Sequence, residues 1–307
     1  MPRIGRVKRV HGGRGGRLAL AWAAAGLTGL TPATARTQPA PPHTATASVA
    51  VLSDSFPVPQ LGRTRRVWLY LPPGYATSGR RYPVLYLQDG QNVFDAATSF
   101  AGEWGVDESL DSLAARGDPG AIVVAVDNGG AHRVDEYDPW RDPRYGGGEG
   151  DAYVAFLAET LKPYVDAHYR TLADPAHTGV LGSSLGGLIA LYAALRRPDV
   201  FGRAGVFSCA AWIARDSLLA FVRRSRPAGE RIYFVVGGRE TDDGSQPRDQ
   251  ALVVDALRAA GFAFGTAVDA EVRPDGEHRE WFWRREFPAA YLWLFPPQRG
   301  RRSPPTR

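Results

Sequence analysis

Cysteine occurs once in the 307 residues, at Cys209, so no disulfide can form within the chain. A domain of this length buries enough apolar surface to fold without one. A lone thiol just after an apolar strand pattern reads as a small buried side chain rather than a nucleophile. Lysine is nearly absent, present only at Lys8 and Lys162, and arginine carries the rest of the positive charge. That bias suggests a GC-rich coding sequence, not a nucleic-acid surface. The net charge of +5 is misleading, because six positive charges and no acid lie in residues 1–35, and without them the net charge is −1. Four more arginines crowd the C-terminal ten residues, leaving a mildly acidic body, so no nucleic-acid partner is expected. Beyond residue 30 no apolar run is long enough to span a bilayer. Metal-ligand spacings and a phosphate-binding loop are also missing, so no metal and no other cofactor is expected.

What is present begins with an export signal. A basic region runs to Arg17, an apolar stretch covers 18–30, and Ala33-Thr34-Ala35 offers a small-x-small cleavage site. The apolar stretch is short and interrupted by Gly26, Thr28 and Gly29, which favours a cleaved signal over a retained anchor. Residues 1–35 are therefore expected to be a signal peptide, and the mature protein to be secreted or periplasmic with no stable membrane insertion. Residues 36–46, rich in Pro, Thr and Ala, read as a disordered linker, and 298–307 as a disordered basic tail.

Between them, 47–297 alternates strand and helix patterns. Strands are predicted near 48–52, 65–71, 82–87, 121–126, 204–207, 232–236 and 265–272. Helices are predicted over 104–115, 151–164, 185–195 and 248–260, with a closing helix to about 295. The two leading strands suit an antiparallel start, and runs such as 121–126 are continuously apolar, as strands covered on both faces must be. This predicts one α/β domain with a mostly parallel, doubly wound sheet flanked by helices. A long irregular segment from Asp127, through Trp140 to the glycines at 146–148, reads as a lid or binding wall. No internal repeat is visible, and the sequence carries no signal of oligomeric state.

The chain is organised around Gly182-Ser183-Ser184-Leu185-Gly186, where an apolar run turns sharply into an amphipathic one. Gly-x-Ser-x-Gly is common by chance in a chain with 35 glycines. Its placement between a strand and a helix makes it a candidate nucleophile elbow, with Ser184 exposed at the apex. A serine hydroxyl needs a base to take its proton and later return it. His11, His43, His132, His168 and His177 all precede Ser184; only His278 follows it, in a loop after the last strand pattern. In the order serine, acid, histidine, the acid belongs to the loop after 232–236, where Glu240, Asp242 and Asp243 compete. Glu240 lies closest to the strand end and is preferred, with Asp242 as the runner-up. The oxyanion hole is expected from the backbone N–H of Leu185 and of Gln91, in the loop after 82–87.

At these residues the chain resembles the putative-esterase family of α/β hydrolases, which includes enterochelin, feruloyl and acetylxylan esterases, S-formylglutathione hydrolases and mycolyltransferases. The resemblance covers about 47–296. It rests on Gln88-Asp89-Gly90-Gln91-Asn92, on Asp127-Asn128-Gly129-Gly130 with Arg133, on 182–188, and on Gly276-Glu277-His278 with Trp283. It implies the α/β-hydrolase fold, Ser184 as nucleophile, His278 as base and an acid matching Glu240.

The leading expectation is a secreted serine hydrolase that cleaves a small-molecule or glycan-linked carboxylic ester through an acyl-enzyme, enterochelin-esterase-like. An acyltransferase of the mycolyltransferase type would use the same intermediate with a sugar or lipid hydroxyl as acceptor. A non-catalytic ligand-binding homologue would have lost Ser184 or His278. Trp140 and Trp212 are expected to line the substrate cleft, and Arg133 either to hold an anionic substrate group or to pair with Glu136.

Overall fold

A computed structural model describes residues 41–296; the signal region, the first part of the linker and the tail lie outside the described residues. Eight strands form one sheet in the order β1-β2-β4-β3-β5-β6-β7-β8. They are β1 (Val49–Val58), β2 (Arg63–Tyr70), β3 (Val84–Gln88), β4 (Ile122–Val126), β5 (Thr178–Ser183), β6 (Arg203–Phe207), β7 (Arg231–Gly237) and β8 (Val268–Arg273). β1 and β2 pair antiparallel, β2 joins β4 antiparallel, and the remaining pairs are parallel. The chain thus has the α/β-hydrolase architecture, with the antiparallel start that its first two strand patterns suggest.

Strand side chains alternate between two cores. Val84, Tyr86, Val124 and Val180 pack to one side with α5 (Leu185–Arg196). Leu85, Leu87, Val123 and Leu181 pack to the other with α1 (Val106–Ala115) and α8 (Glu280–Leu294). Burial on both faces explains why β3 and β4 are continuously apolar up to their last residues.

Three local readings need correction. The predicted helix over 151–164 is a composite run: α-helix Gly150–Phe156, a π-helical turn Leu157–Leu161, then α-helix Lys162–His168. A helical period continues through the π turn, so the apolar stripe alone does not reveal it. Between 207 and 231 the chain forms an unpredicted helix, Arg215–Arg224, which buries Leu218, Leu219 and Val222 against the first core. The segment after Asp127 is not wholly irregular, since a 3-10 turn (Gly130–His132) leads into a helix (Arg133–Tyr137). The described end of the linker is also tied down. Thr44 N–H donates to Asp95 at 3.1 Å, and Thr46 N–H donates to Asp107 at 2.7 Å.

Parallel register sets the site. Ser183 lies opposite Phe207, Phe207 opposite Val235, and Gly237 opposite Arg273. The loops leaving β5, β6, β7 and β8 therefore emerge side by side at the C-terminal edge, where open α/β sheets bind ligands.

Candidate active site

β5 is buried throughout and ends in a turn at Ser184, which holds φ 57° and ψ −122°. A non-glycine residue at positive φ is strained and persists only where its surroundings enforce it. Here the Ser184 N–H donates to Phe207 O at 2.9 Å, and Ser184 O accepts from the N–H groups of Ala210 and Leu188, both at 3.1 Å. The neighbouring glycines are steric requirements. A Cβ at Gly182 would lie 2.6 Å from the Gly186 carbonyl carbon, and one at Gly187 would lie 2.8 Å from Phe207 O. Leu185 opens α5, so its N–H has no intrahelical acceptor and sits at the positive end of the helix.

β7 delivers the acid. Glu240 Oε2 lies 2.8 Å from His278 Nδ1, and its side chain is wholly buried. Its other oxygen, Oε1, accepts from the Ser208 hydroxyl at 2.5 Å and from Gly237 N–H at 2.6 Å. Asp242 and Asp243 are exposed, and Asp243 accepts from Ser245 N–H instead. Of the three competing acids, Glu240 is the one whose carboxylate meets the histidine. With Nδ1 facing that carboxylate, the proton belongs on Nδ1, and Nε2 is left as the basic nitrogen.

Ser208 and Gln246, not anticipated from the sequence, complete this arrangement with Trp283. Ser208 leaves β6 with φ 46°, fully buried, and accepts from Trp283 Nε1 at 2.8 Å. The Trp283 ring meets the His278 ring edge-on, with centroids 5.2 Å apart. Gln246 Nε2 caps Ser208 O and Cys209 O, both at 2.9 Å. Ser208, Glu240, His278 and Trp283 thus form a closed ring of contacts. A serine at the end of β6, level with Ser184 in register, was the available signal for Ser208. Cys209 is buried, and burial pushes its thiol pKa up to about 12, which keeps it un-ionised.

The loop after β3 is held by Asp89, the third non-glycine residue at positive φ among the described residues. Asp89 accepts from Asn128 Nδ2 and, in a fork, from Arg133 Nε at 2.7 Å and Arg133 Nη2 at 2.8 Å. Burial works against the Arg133 charge, yet the Asp89 carboxylate holds its pKa above the ordinary arginine value. The guanidinium is therefore committed to Asp89, not to Glu136, which takes Arg63 and Arg65. Gln91 is fixed by its Oε1 accepting from Asn128 N–H at 3.2 Å and by its carbonyl accepting from Thr98. Gly90 lets this loop approach β4, since a Cβ there would lie 2.8 Å from the Val126 carbonyl carbon.

The two candidate tryptophans share a cavity of about 390 Å³ with Arg141, Arg144 and Arg215. Trp212 is half exposed and meets Tyr145 edge-on, with centroids 5.3 Å apart. Trp140 is more enclosed, packed on Tyr192 and Phe221. Among the described residues, Glu103, Asp107 and Glu108 bring carboxylate oxygens within 4.8 Å of one another. Arg284 pairs with Glu103 and lies near Glu108, and Thr46 N–H donates to Asp107, so this cluster clasps the first described segment to α1. No helix among the described residues is long and apolar enough to cross a membrane.

Known proteins resemble this chain in sequence and fold. Uncharacterized protein YbbA of Bacillus subtilis is 24% identical over 242 residues, covering 75% of this chain and 92% of that protein. An iron(III) enterobactin esterase of Dickeya dadantii is 29% identical over 249 residues, covering 76% of this chain but only 52% of that protein. Among solved structures, an enterobactin esterase from Shigella flexneri, in the presence of enterobactin, matches with TM-score 0.65 at 25% identity, covering 82% of this chain and 60% of that one. A ferulic acid esterase matches in fold with TM-score 0.61 at 20% identity, covering 80% of this chain and 98% of that one. The family model described as "Putative esterase" matches residues 59–294. The chain belongs to the putative esterase family of α/β hydrolases and is, as a member, a carboxylic ester hydrolase.

Proposed function

We propose that the protein is an exported serine esterase working through Ser184, His278 and Glu240. The observation that carries this reading is the buried Glu240 carboxylate on His278 Nδ1, at the same sheet edge as the strained Ser184 turn. His278 Nε2 takes the Ser184 proton as the hydroxyl attacks the ester carbonyl. Glu240 fixes the tautomer and stabilises the imidazolium that forms. The negative charge on the carbonyl oxygen is met by the N–H groups of Leu185 and Gln91; one such donor is typically worth about 3 kcal/mol in the transition state. Collapse expels the alcohol, protonated by His278, and leaves an acyl-Ser184. Water, activated by the same histidine, then releases the acid.

The substrate class proposed is a small-molecule or glycan-linked ester, as the names of the enterobactin and feruloyl esterase relatives suggest. Trp140 and Trp212 line a cavity whose other walls carry Arg141, Arg144, Arg215, Asp142 and Asp216, and their rings would take a flat acyl or aryl group. Export rests on the signal pattern of residues 1–35.

The test is a panel of short-chain p-nitrophenyl esters, methyl ferulate, acetylated xylan and a ferric catecholate trilactone, with Ser184→Ala as the blank. Selective turnover of one class supports the reading and names the substrate. Failure on all, with fluorophosphonate still labelling Ser184, points to an acyltransferase. Failure of labelling as well overturns the triad.

A further inference from the structure

A cavity of about 810 Å³ opens at the opposite edge of the sheet, where β3, β5 and β6 begin. Tyr291 and Phe295 close one side, and Leu172 adds to the apolar wall. Three arginines line it as well, Arg80, Arg81 and Arg203, and no Asp or Glu among the described residues does. The volume suits a small molecule.

None of these arginines forms an ion pair with a described residue; Asp174 acts on Arg203 only at longer range. Elsewhere Arg133 sits on Asp89 and Arg273 on Glu286. Arg80 and Arg81 are exposed and make no ion pair with a described residue; Arg81 reaches only the Thr171 carbonyl. Arg203 donates one N–H to the Gly202 carbonyl at 2.7 Å, and its Nε is buried without a partner. It stands opposite Arg231 on the next strand, whose Nε is likewise buried without a hydrogen-bond partner and whose guanidinium lies over the Trp293 ring, 4.2 Å from its centroid. Burial, then the charge of Arg231, push the Arg203 pKa below the ordinary value. Two acids nearby are already engaged, Asp174 with His177 Nδ1 at 2.8 Å and Asp118 with Tyr291 at 2.9 Å. A buried guanidinium donor with no acceptor is costly, and an oxyanion supplies the paired acceptors that its fork matches.

We infer that this cavity is a second binding site, separate from the catalytic edge, for an amphipathic organic anion. Its carboxylate or phosphate head sits on Arg203, with Arg80 and Arg81 at the mouth, and its apolar body lies along Phe295, Tyr291 and Leu172.

The experiment is calorimetric titration of the full chain with decanoate and with phenyl phosphate, repeated after fluorophosphonate treatment of the catalytic serine. Both anions are expected to bind the treated protein as they bind the untreated one. Arg203→Ala should weaken binding about tenfold or more, the loss expected for a charge-assisted contact. Arg80→Ala with Arg81→Ala, both exposed and so harmless to the fold, should weaken it in the same direction. Decanol, which keeps the apolar body without the charge, should bind at least about tenfold more weakly than decanoate. Ester turnover by each variant reports that it is folded. The preferred anion tells a carboxylate ligand from a phosphate ester. The inference is overturned if neither anion binds, if binding ignores both arginine variants, if decanol binds as well as decanoate, or if treatment of the serine abolishes binding.

Discussion

At the C-terminal ends of β3, β5 and β6 the chain leaves the sheet through Asp89, Ser184 and Ser208, each at positive φ. At the N-terminal ends of the same strands no described non-glycine residue has such a conformation. The polar groups differ as well. At the catalytic edge Glu240 has both oxygens partnered, Asp89 is held by Asn128 and Arg133, and Ser208 bridges Glu240 and Trp283. At the opposite edge Arg203 and Arg231 keep buried donors without partners. Strained turns held by a hydrogen-bond network around Glu240 and Asp89 mark a site built to hold one geometry in place. Relaxed backbone with unmet donors marks a surface whose partner must come from outside.

The largest effect is expected at Ser184. Ser184→Ala should leave the fold intact, because the strained turn is held through backbone bonds, and should lower kcat by about a million-fold, as loss of a serine nucleophile does in a triad. Near-wild-type turnover would remove the catalytic edge from the argument altogether. Glu240→Gln comes next. It keeps the shape but presents the wrong partner to His278 Nδ1, and the loss expected is about ten-thousand-fold in kcat. Asp242→Asn, altering an exposed residue in the same loop, should leave turnover unchanged. Equal losses from both variants would mean that the acid has been misassigned.

Much of this edge was legible in the sequence because its chemistry is local. The turn at 182–187 advertises itself by glycines that close packing requires, and His278 is the one histidine after Ser184. The strand patterns were readable for the same reason, since burial on both faces leaves continuous apolar runs. Ser208 was not legible, because its importance lies in contacts 32 and 75 residues away along the chain. Arg133 was misread because Asp89, its partner across 44 residues, competes with a nearer acid that two other arginines take. The helix Arg215–Arg224 was missed because its buried face comes down to three residues.

Ser208 should act at smaller amplitude. Ser208→Ala removes one of two donors to Glu240 Oε1 and leaves Trp283 Nε1 without its acceptor. The hydroxyl touches no reacting atom, so the loss should run through the orientation of Glu240 and His278. A hydrogen bond to a charged group is worth about 1.5–3 kcal/mol, so kcat should fall about ten- to a hundredfold. The acidic limb of the kcat/KM profile should move, because the carboxylate that stabilises the imidazolium is less well held. A loss of thermal stability with an unmoved pH profile would make Ser208 a packing residue only.

The smallest effect on turnover concerns an acid at the catalytic edge that the network does not satisfy. Asp107 opens α1, fully buried, with Oδ1 lacking a partner beside equally unpartnered oxygens of Glu103 and Glu108. Burial raises its pKa from 3.8 to about 7. Between those values the folded chain keeps a proton that the unfolded chain has released, so stability falls as the pH rises from about 4 to about 7 and levels off above that. Asp107→Asn removes this titration and keeps an oxygen to accept from Thr46 N–H. Its Tm should exceed that of the parent protein at pH 8 by on the order of ten degrees, since a pKa raised from 3.8 to about 7 corresponds to about 4 kcal/mol. The two should converge toward pH 4, and ester turnover should stay as it was. Thermal melts of both proteins from pH 4 to 8 decide the matter. Parallel curves would mean that Asp107 is already ionised in the folded chain across this range.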